Sequence, residues 1–310
     1  MISQEDLSRL AQQVAAHLQQ VTTAGSSAAE TPVDTAPPPA KSKKKAAATV
    51  SAVTEAPQTM SAGGGVSLPV TDLKKPGGGV WKTGRIDWKK SDVVDFQGQP
   101  AIKVFYGKDS GTSRHKGIGG LNFSTTPPGL PGTSAMMAFQ VYFEPGWHFS
   151  NGGKMTGFHI GEGNASGGRH SPNASSCRIS FKEGGGAWMY VYPPSELKQD
   201  DTRLSRVTGT GIGMFRENFP PGTFKVGQWN DMKIGVRLNT MDSAGKPNAD
   251  GMAYVQVNDK SATLTRMRWR RSKDLLIEHY NFATFFGGGD PSVKDVTAYY
   301  RNFKLSPWDK

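Results

Sequence analysis

Residues 176–192 read SCRISFKEGGGAWMYVY. Polar and apolar side chains alternate on both sides of three consecutive glycines, which is the pattern of two half-buried β-strands joined by a tight turn. Because successive side chains of a strand point to opposite faces, Ser176 and Arg178 share one face, and so do Tyr190 and Tyr192. An antiparallel hairpin would bring all four side chains into one patch.

Short alternating runs recur throughout the chain beyond residue 65, separated by Gly, Pro, Asn and Asp. This pattern predicts an all-β fold, an antiparallel β-jelly-roll or sandwich with a concave cleft for a long ligand. Helix-period stretches are essentially absent there, and the glycine runs match neither the Rossmann nor the P-loop fingerprint. The predicted strands are 101–106, 134–143, 177–182, 187–192, 229–238, 251–257, 279–286 and 298–305.

The first 65 residues have a different composition from the rest. Apolar residues at spacings of three and four predict a short amphipathic helix over residues 1–21. Residues 22–65 are rich in Ala, Pro, Thr, Ser and Lys and are predicted to form a disordered linker. The helix either frays in isolation or docks to a partner or particle. The folded domain is expected to cover residues 66–310.

The charge of the chain lies entirely in that expected domain. The sequence has 37 Lys and Arg against 26 Asp and Glu, a formal net charge of +11, and residues 1–65 contain five of each sign. The excess predicts an anionic partner, such as a nucleic acid or a membrane surface. The densest basic stretch, residues 266–273, interleaves with Trp269, which suits stacking on bases or sugars but equally suits a charged edge strand.

Several classes of protein are disfavoured. No run of about 18 apolar residues is present, so we expect no transmembrane helix and no membrane partner. The polar N-terminus lacks the apolar core of a Sec signal peptide, which predicts cytoplasmic synthesis followed by packaging into a particle or release by lysis. Cys177 is the only cysteine, and the six histidines lack metal-ligand spacing, so neither a metal nor a cofactor is expected.

The polar face of the hairpin carries side-chain types that can take part in catalysis. Lys154 lies in a glycine-flanked stretch ahead of it and can reach the same face. A Lys and an Arg can hold a carboxylate, and a tyrosine beside cations can donate or accept a proton. The same side chains are also ordinary on the solvent face of a sheet, and the residues alone leave both interpretations open.

Five blocks in order along the chain resemble polysaccharide lyase family 14, which includes alginate and polyglucuronate lyases of algal viruses and molluscs. The resemblance covers about residues 82–305. It implies a β-jelly-roll that cleaves uronic-acid polymers by β-elimination without a cofactor. The blocks are Gly-Gly-Lys154-Met-Thr-Gly-Phe158, the pairs Ser176-x-Arg178 and Tyr190-x-Tyr192, Gln228-Trp-Asn with Val236-Arg-Leu-Asn239, and Phe282-Ala-Thr-Phe-Phe-Gly-Gly-Gly-Asp-Pro291 with Tyr300-Arg-Asn-Phe-Lys-Leu305.

The resemblance also implies roles for individual residues. Which group is the base and which the acid stays open. Thr156 stands where the family usually has proline, which is expected to loosen a turn that aims Lys154. The resemblance implies an acidic polysaccharide as the partner, and no nucleic-acid partner is expected. The rival hypotheses are a non-catalytic carbohydrate-binding or virion-associated structural protein with a lyase-like fold and, behind it, a nucleic-acid-binding protein. The implied catalytic residues are Lys154, Tyr190 and Tyr192, and the implied substrate-binding residues are Ser176, Arg178 and His170.

Overall fold

A computed structural model of the protein describes residues 64–112, 114–200, 212–214, 218–287 and 289–308. The predicted helix over residues 1–21 and nearly all of the predicted linker over residues 22–65 lie outside the described residues. In the part that is described, no helix is long and apolar enough to cross a membrane.

Fourteen β-strands account for the regular structure of the described residues, together with three short 3-10 turns at Val70–Lys74, Pro76–Trp81 and Glu183–Gly185. The strands are β1 (Val66–Leu68), β2 (Asp92–Phe96), β3 (Gln99–Tyr106), β4 (Leu121–Thr125), β5 (Ser134–Phe143), β6 (Gly153–Gly161), β7 (Ala174–Lys182), β8 (Gly186–Tyr192), β9 (Ile212–Met214), β10 (Trp229–Arg237), β11 (Gly251–Val257), β12 (Lys260–Met267), β13 (Ile277–Phe286) and β14 (Val296–Ser306).

The strands form two antiparallel sheets. The eight-stranded sheet has the order β12-β11-β10-β5-β14-β3-β2, with β1 paired to the end of β14. The six-stranded sheet has the order β4-β13-β6-β7-β8-β9. The predicted antiparallel all-β class is therefore confirmed, and the predicted hairpin is β7–β8, closed by the 3-10 turn at Glu183–Gly185.

The core lies between the two sheets and is built from the apolar half of each alternating pattern. On β5 the inward residues are Phe139, Val141 and Phe143, all buried, while Gln140 and Tyr142 between them are half-buried. Aromatic rings join the sheets, as where Phe282 of β13 meets Tyr300 of β14 with ring centroids 5.0 Å apart. Burying each such large side chain contributes about 1.5–3 kcal/mol of stability. Cys177 is fully buried within this core, as its strand position indicates.

The structure has strands at all eight predicted places and six more, namely β1, β2, β4, β6, β9 and β12. The most important omission is β6, because Lys154 lies on it. Its sequence, GKMTGFHIG, contains three glycines, which are depleted in strands, and a register shift breaks its alternation. Because the glycines and the bulge interrupt the alternating pattern, the sequence did not predict this strand.

The basic stretch at residues 266–273 does not form a stacking surface. Trp269 is 1% exposed and its indole N–H donates to the Met252 carbonyl at 3.1 Å. The buried Arg270 donates to backbone carbonyls, among them that of Leu275, and Arg268 forms an ion pair with Asp200 at 2.6 Å. The interpretation of this stretch as a platform for bases or sugars is wrong, because folding uses its tryptophan and two of its arginines internally.

Candidate active site

The strand register places the predicted site residues in two rows that cross the six-stranded sheet. In one row Tyr190 of β8 is opposite Arg178 of β7, and Arg178 is opposite Gly157 of β6. In the next row Tyr192 is opposite Ser176. Because these residues alternate with core residues, their side chains lie on the sheet face turned away from the core. The patch predicted from the hairpin therefore exists.

A bulge in β6 brings Lys154 to the same face. The register between β6 and β7 shifts between Lys154 and Gly157, so that one extra residue lies on β6. Met155 consequently joins the core, Thr156 is fully buried, and Lys154 is opposite Ser180 of β7. Thr156 is thus part of a bulged strand, and the expectation that it loosens a turn is wrong. Bulges commonly re-aim a side chain in this way.

Lys154 and the two tyrosines form one cluster. The Lys154 Nζ atom lies 5.3 Å from the Tyr190 ring centroid and 5.4 Å from that of Tyr192. The two rings meet edge-on, with centroids 5.6 Å apart. These distances are within the range of cation–π attraction, which holds the ammonium between the rings.

The site is recessed although it lies away from the core. Tyr192 is 1% exposed and Arg178 is 8% exposed, whereas Lys154 and Tyr190 are half-buried. The loop of residues 162–173, between β6 and β7, supplies much of the cover. Its Gly168 N–H donates to the Tyr192 hydroxyl at 3.1 Å.

Two of the predicted substrate-binding residues contact this loop. Ser176 is fully buried and its hydroxyl donates to the Ala165 carbonyl at 2.6 Å, so its proton is used to hold the loop. His170 comes from the loop itself, and its ring centroid lies 5.1 Å from that of Tyr192. The structure therefore brings all six predicted residues to one place, with Ser176 beneath the surface rather than on it.

Burial and charge perturb the titration of the cluster. The pKa of Lys154 is lowered, chiefly by burial and further by the Arg178 cation, while Tyr192 opposes the shift. Burial also lowers the pKa of Arg178. The pKa of Tyr190 is raised well above its usual value by burial, with a hydrogen bond to Tyr192 adding to the rise. The lysine is thus shifted towards its neutral form and the tyrosine towards its protonated form.

Some buried polar atoms at the site have no hydrogen-bond partner among the described residues. They are Nε of Arg178 and both ring nitrogens of His170. Buried polar groups in folded proteins are normally paired, and exceptions call for a functional explanation. An anionic or hydroxyl-rich ligand entering the recess would supply the missing partners.

Sequence reasoning missed two histidines beside the site. His159 of β6 is opposite Ser176, and His279 of β13 is opposite His159, so both continue the Tyr192 row. Their rings stack with centroids 4.8 Å apart. Recognising β6 as a strand would have placed His159 on the same face as Gly157. In the described part of the chain, no three His, Cys, Asp or Glu side chains are grouped to hold a metal ion.

An antiparallel double sheet with a recessed group of two basic side chains and two phenols is chemically suited to an anionic ligand and to proton transfer. Residues 95–303 match the family described as Polysaccharide lyase 14. A solved structure described as alginate lyase vAL-1 from Chlorella virus is 42% identical, with a TM-score of 0.75, and the match covers 78% of this chain and 99% of that one. The chain therefore belongs to polysaccharide lyase family 14.

Two further relatives extend the comparison. The marine PL-14 alginate lyase from Aplysia kurodai is 23% identical with a TM-score of 0.65, over 78% of this chain and 97% of that one, and supports the fold. The protein called Exolysin, from Paramecium bursaria Chlorella virus 1, is 26% identical over 219 residues, which is 63% of this chain. The match spans about one third of the length of that curated relative, 33%.

Proposed function

We propose that the protein cleaves a uronic-acid polysaccharide, with alginate as the first candidate, by β-elimination. The observation that carries this proposal is the recessed cluster in which Lys154, Arg178, Tyr190 and Tyr192 face one another. The alginate lyase from Chlorella virus, 42% identical, supports alginate as the first polymer to test. The positively charged domain favours the approach of a polymer with a carboxylate on every sugar.

The reaction needs a base, a cation and an acid at the site. Removal of the C5 proton leaves the electron pair delocalised onto the sugar carboxylate, which a cation must stabilise. The same electrons then form the C4–C5 double bond as the C4–O bond breaks, and the departing oxygen takes a proton from an acid. We assign the carboxylate to Arg178, because its buried Nε has no partner among the described residues and a guanidinium suits a carboxylate.

The pKa shifts favour one assignment of acid and base. Tyr190 is half-buried and keeps its proton because its pKa is raised, so we assign it as the acid that protonates the C4 oxygen. Lys154 is half-buried and its pKa is lowered, so we assign its neutral amine as the acceptor of the C5 proton. Tyr192, almost fully buried, positions both groups and holds the loop through Gly168.

The remaining predicted residues support binding. Ser176 acts through the loop, since its hydroxyl donates to Ala165. His170 offers two unpaired ring nitrogens in the recess, and we assign it to hydrogen bonds with sugar hydroxyl groups. The rival hypothesis of a non-catalytic carbohydrate-binding protein predicts affinity without turnover.

The direct test is to offer polymannuronate, polyguluronate and polyglucuronate and to follow the ultraviolet absorbance of the unsaturated products. We expect absorbance to rise on at least one of them. The Tyr190→Phe variant should bind the same polymer and turn it over at least about 100-fold more slowly. Absence of product from all three polymers, at neutral and at alkaline pH, would refute the proposal.

We further propose that the enzyme acts in association with a viral particle, which the likeness to Exolysin supports. Residues 1–65 are the proposed docking arm. Deleting them should leave lyase activity within about twofold, because β1 begins at Val66, and should abolish co-sedimentation with the particle. Unchanged co-sedimentation would exclude the arm as the attachment.

A further inference from the structure

The two polar rows do not end at Arg178 and Ser176. The Tyr192 row continues through His159 on β6 to His279 on β13. The Tyr190 row continues across β6 to Asn281 on β13, which is opposite Ser124 on β4. None of these four residues has a part in the proton transfers assigned above.

The histidine pair continues the Tyr192 row on the sheet face that carries the candidate active site. Its rings are stacked within 13° of parallel, on the face turned away from the core, and His159 is 8% exposed. Burial, His279 and the Arg178 cation lower the pKa of His159 to about 4, and burial with Arg178 also lowers that of His279. Both imidazoles are therefore neutral at neutral pH. The backbone of Gly161 and Gly163 contacts the His159 ring, so His279 is the better placed of the two to offer a donor and an acceptor to a ligand.

Gly157 leaves room for the Arg178 side chain to lie over β6. A Cβ atom at this position would lie 2.9 Å from the Arg178 Cγ and 2.1 Å from the Cys177 carbonyl oxygen. The stem of Arg178 therefore lies over β6, in the space that any other residue would fill. The aliphatic part of Arg178 thus lies between the cluster of Lys154, Tyr190 and Tyr192 and the His159–His279 pair.

The next polar group beyond the pair belongs to Asn281. It is 8% exposed, and its side-chain oxygen accepts a hydrogen bond from the Ser124 hydroxyl at 2.7 Å. Neutral imidazoles and an amide match the hydroxyl groups of a sugar, which both donate and accept. A metal is a poor match, because no third ligand joins the histidines among the described residues.

We propose that His159, His279 and Asn281 form a subsite for the sugar next to the one held by Arg178, so that the polymer crosses the strands from β8 towards β4. Adjacent strands are about 4.8 Å apart, so the three steps from β8 to β13 span about 14 Å, more than one sugar ring. This inference rests on the proposed function and adds the direction of the chain and the place of a second sugar.

The test uses His279, the more exposed of the two histidines, in the full-length protein. His279→Ala should raise KM for the polymer about 3- to 10-fold, the value of one or two hydrogen bonds, while kcat falls less than twofold. The ratio of kcat/KM between the polymer and the shortest oligosaccharide that is cleaved should fall by a similar factor. His279→Gln, which keeps a donor and an acceptor, should recover part of the affinity.

Binding is measured in parallel by calorimetry with a uronate tetrasaccharide, so that the subsite and the lyase reaction are tested separately. A wild-type protein that binds the tetrasaccharide but releases no product would refute the lyase, while weaker binding by His279→Ala would still support the subsite. Unchanged binding and unchanged polymer KM in a folded His279→Ala protein would overturn the subsite. A loss confined to kcat, equal for long and short substrates, would overturn it as well.

Discussion

The two sheets of this protein each carry aromatic and cationic side chains on the face turned away from the core, but the two faces differ in how those side chains are paired. On the eight-stranded sheet, Trp229, Tyr142 and Tyr299 lie side by side in one row. The Arg301 guanidinium stacks on Trp229 at 3.7 Å, and Phe96 stacks on Tyr299 at 3.7 Å. We call these five residues the outer aromatic cluster.

In the outer aromatic cluster the polar groups of Arg301, Trp229 and Tyr299 have protein partners. Arg301 donates to Gln140 at 3.0 Å, and the Trp229 indole N–H donates to Gln97 at 2.8 Å. Tyr299 donates to the Glu144 carboxylate at 2.7 Å. In the candidate active site, by contrast, buried nitrogens of Arg178 and His170 have no partner in the described part of the chain.

Residue types alone do not identify the site, since both faces hold Tyr with Lys or Arg. The candidate active site differs in combining a recessed group of cations and phenols with buried nitrogens that have no partner among the described residues. Pairing of buried polar groups contributes to stability, whereas buried groups left unpaired cost stability and persist where a ligand completes them. Changes in the cleft should therefore reduce activity, and changes in the outer aromatic cluster should reduce stability.

The largest effect is expected for Lys154→Arg. This variant keeps the positive charge but holds its proton at every accessible pH, so it cannot accept the C5 proton. We expect kcat to fall about 10³- to 10⁴-fold with little change in KM, measured by product absorbance at saturating polymer. The matched control is Arg301→Lys in the outer aromatic cluster, which should keep wild-type kcat. If Lys154→Arg retains a tenth of the activity, Lys154 serves as a charge and the base lies elsewhere.

The pH dependence should show the second largest effect. Because burial and Arg178 lower the pKa of Lys154, its neutral fraction grows about tenfold per pH unit below that pKa, so kcat/KM should rise with unit slope from neutral pH and level off at a pH below the usual lysine pKa. Because the pKa of Tyr190 is raised, the acid stays protonated over the same range and adds no falling limb. A flat or falling profile from initial rates would contradict this assignment of acid and base.

The sequence was sufficient for some of this geometry. Strict alternation and a three-glycine turn predict which side chains of the β7–β8 hairpin share a face, so Arg178 and Tyr190 were found together. The alternating pattern does not reveal β6, because glycines and a bulge interrupt it. The position of His159 beside the site could therefore not be predicted either. That β6 lies between β7 and β13 depends on contacts distant along the chain, which local periodicity does not encode.

The alternating pattern predicts the core of the two-sheet fold, but it does not predict the burial of the basic stretch at residues 266–273. Alternation distinguishes a buried from an exposed position only within a regular strand. Trp269 and Arg270 follow the end of β12, where the chain leaves the ladder and its side chains turn inward to pair with backbone carbonyls. Their charge and aromaticity were visible in the sequence, whereas their burial was not.

A smaller effect, on stability rather than on activity, is expected for Trp229→Ala. The indole contacts Arg301, Tyr142 and Phe96, and losing these cross-strand contacts should destabilise the fold by about 1–3 kcal/mol. Urea unfolding measures the loss, and kcat of the folded variant should match that of the wild type. If the variant keeps full stability but its KM for the polymer rises, the outer aromatic cluster is a second polymer-binding surface rather than a stabilising one.

The smallest effect is expected for Arg266→Ala. Arg266 lies at the edge strand β12 with a side chain 70% exposed, and its nearest carboxylate, that of Asp200, is 3.7 Å away and already held by Arg268. A screened surface charge of this kind contributes little, so polymer KM at moderate salt should change less than about twofold. Arg178→Lys, in the cleft, should weaken binding far more despite keeping its charge, because a lysine cannot form the bidentate pair. Equal losses in the two variants would show that total charge, rather than the unpaired groups of the recess, governs recognition of the polymer.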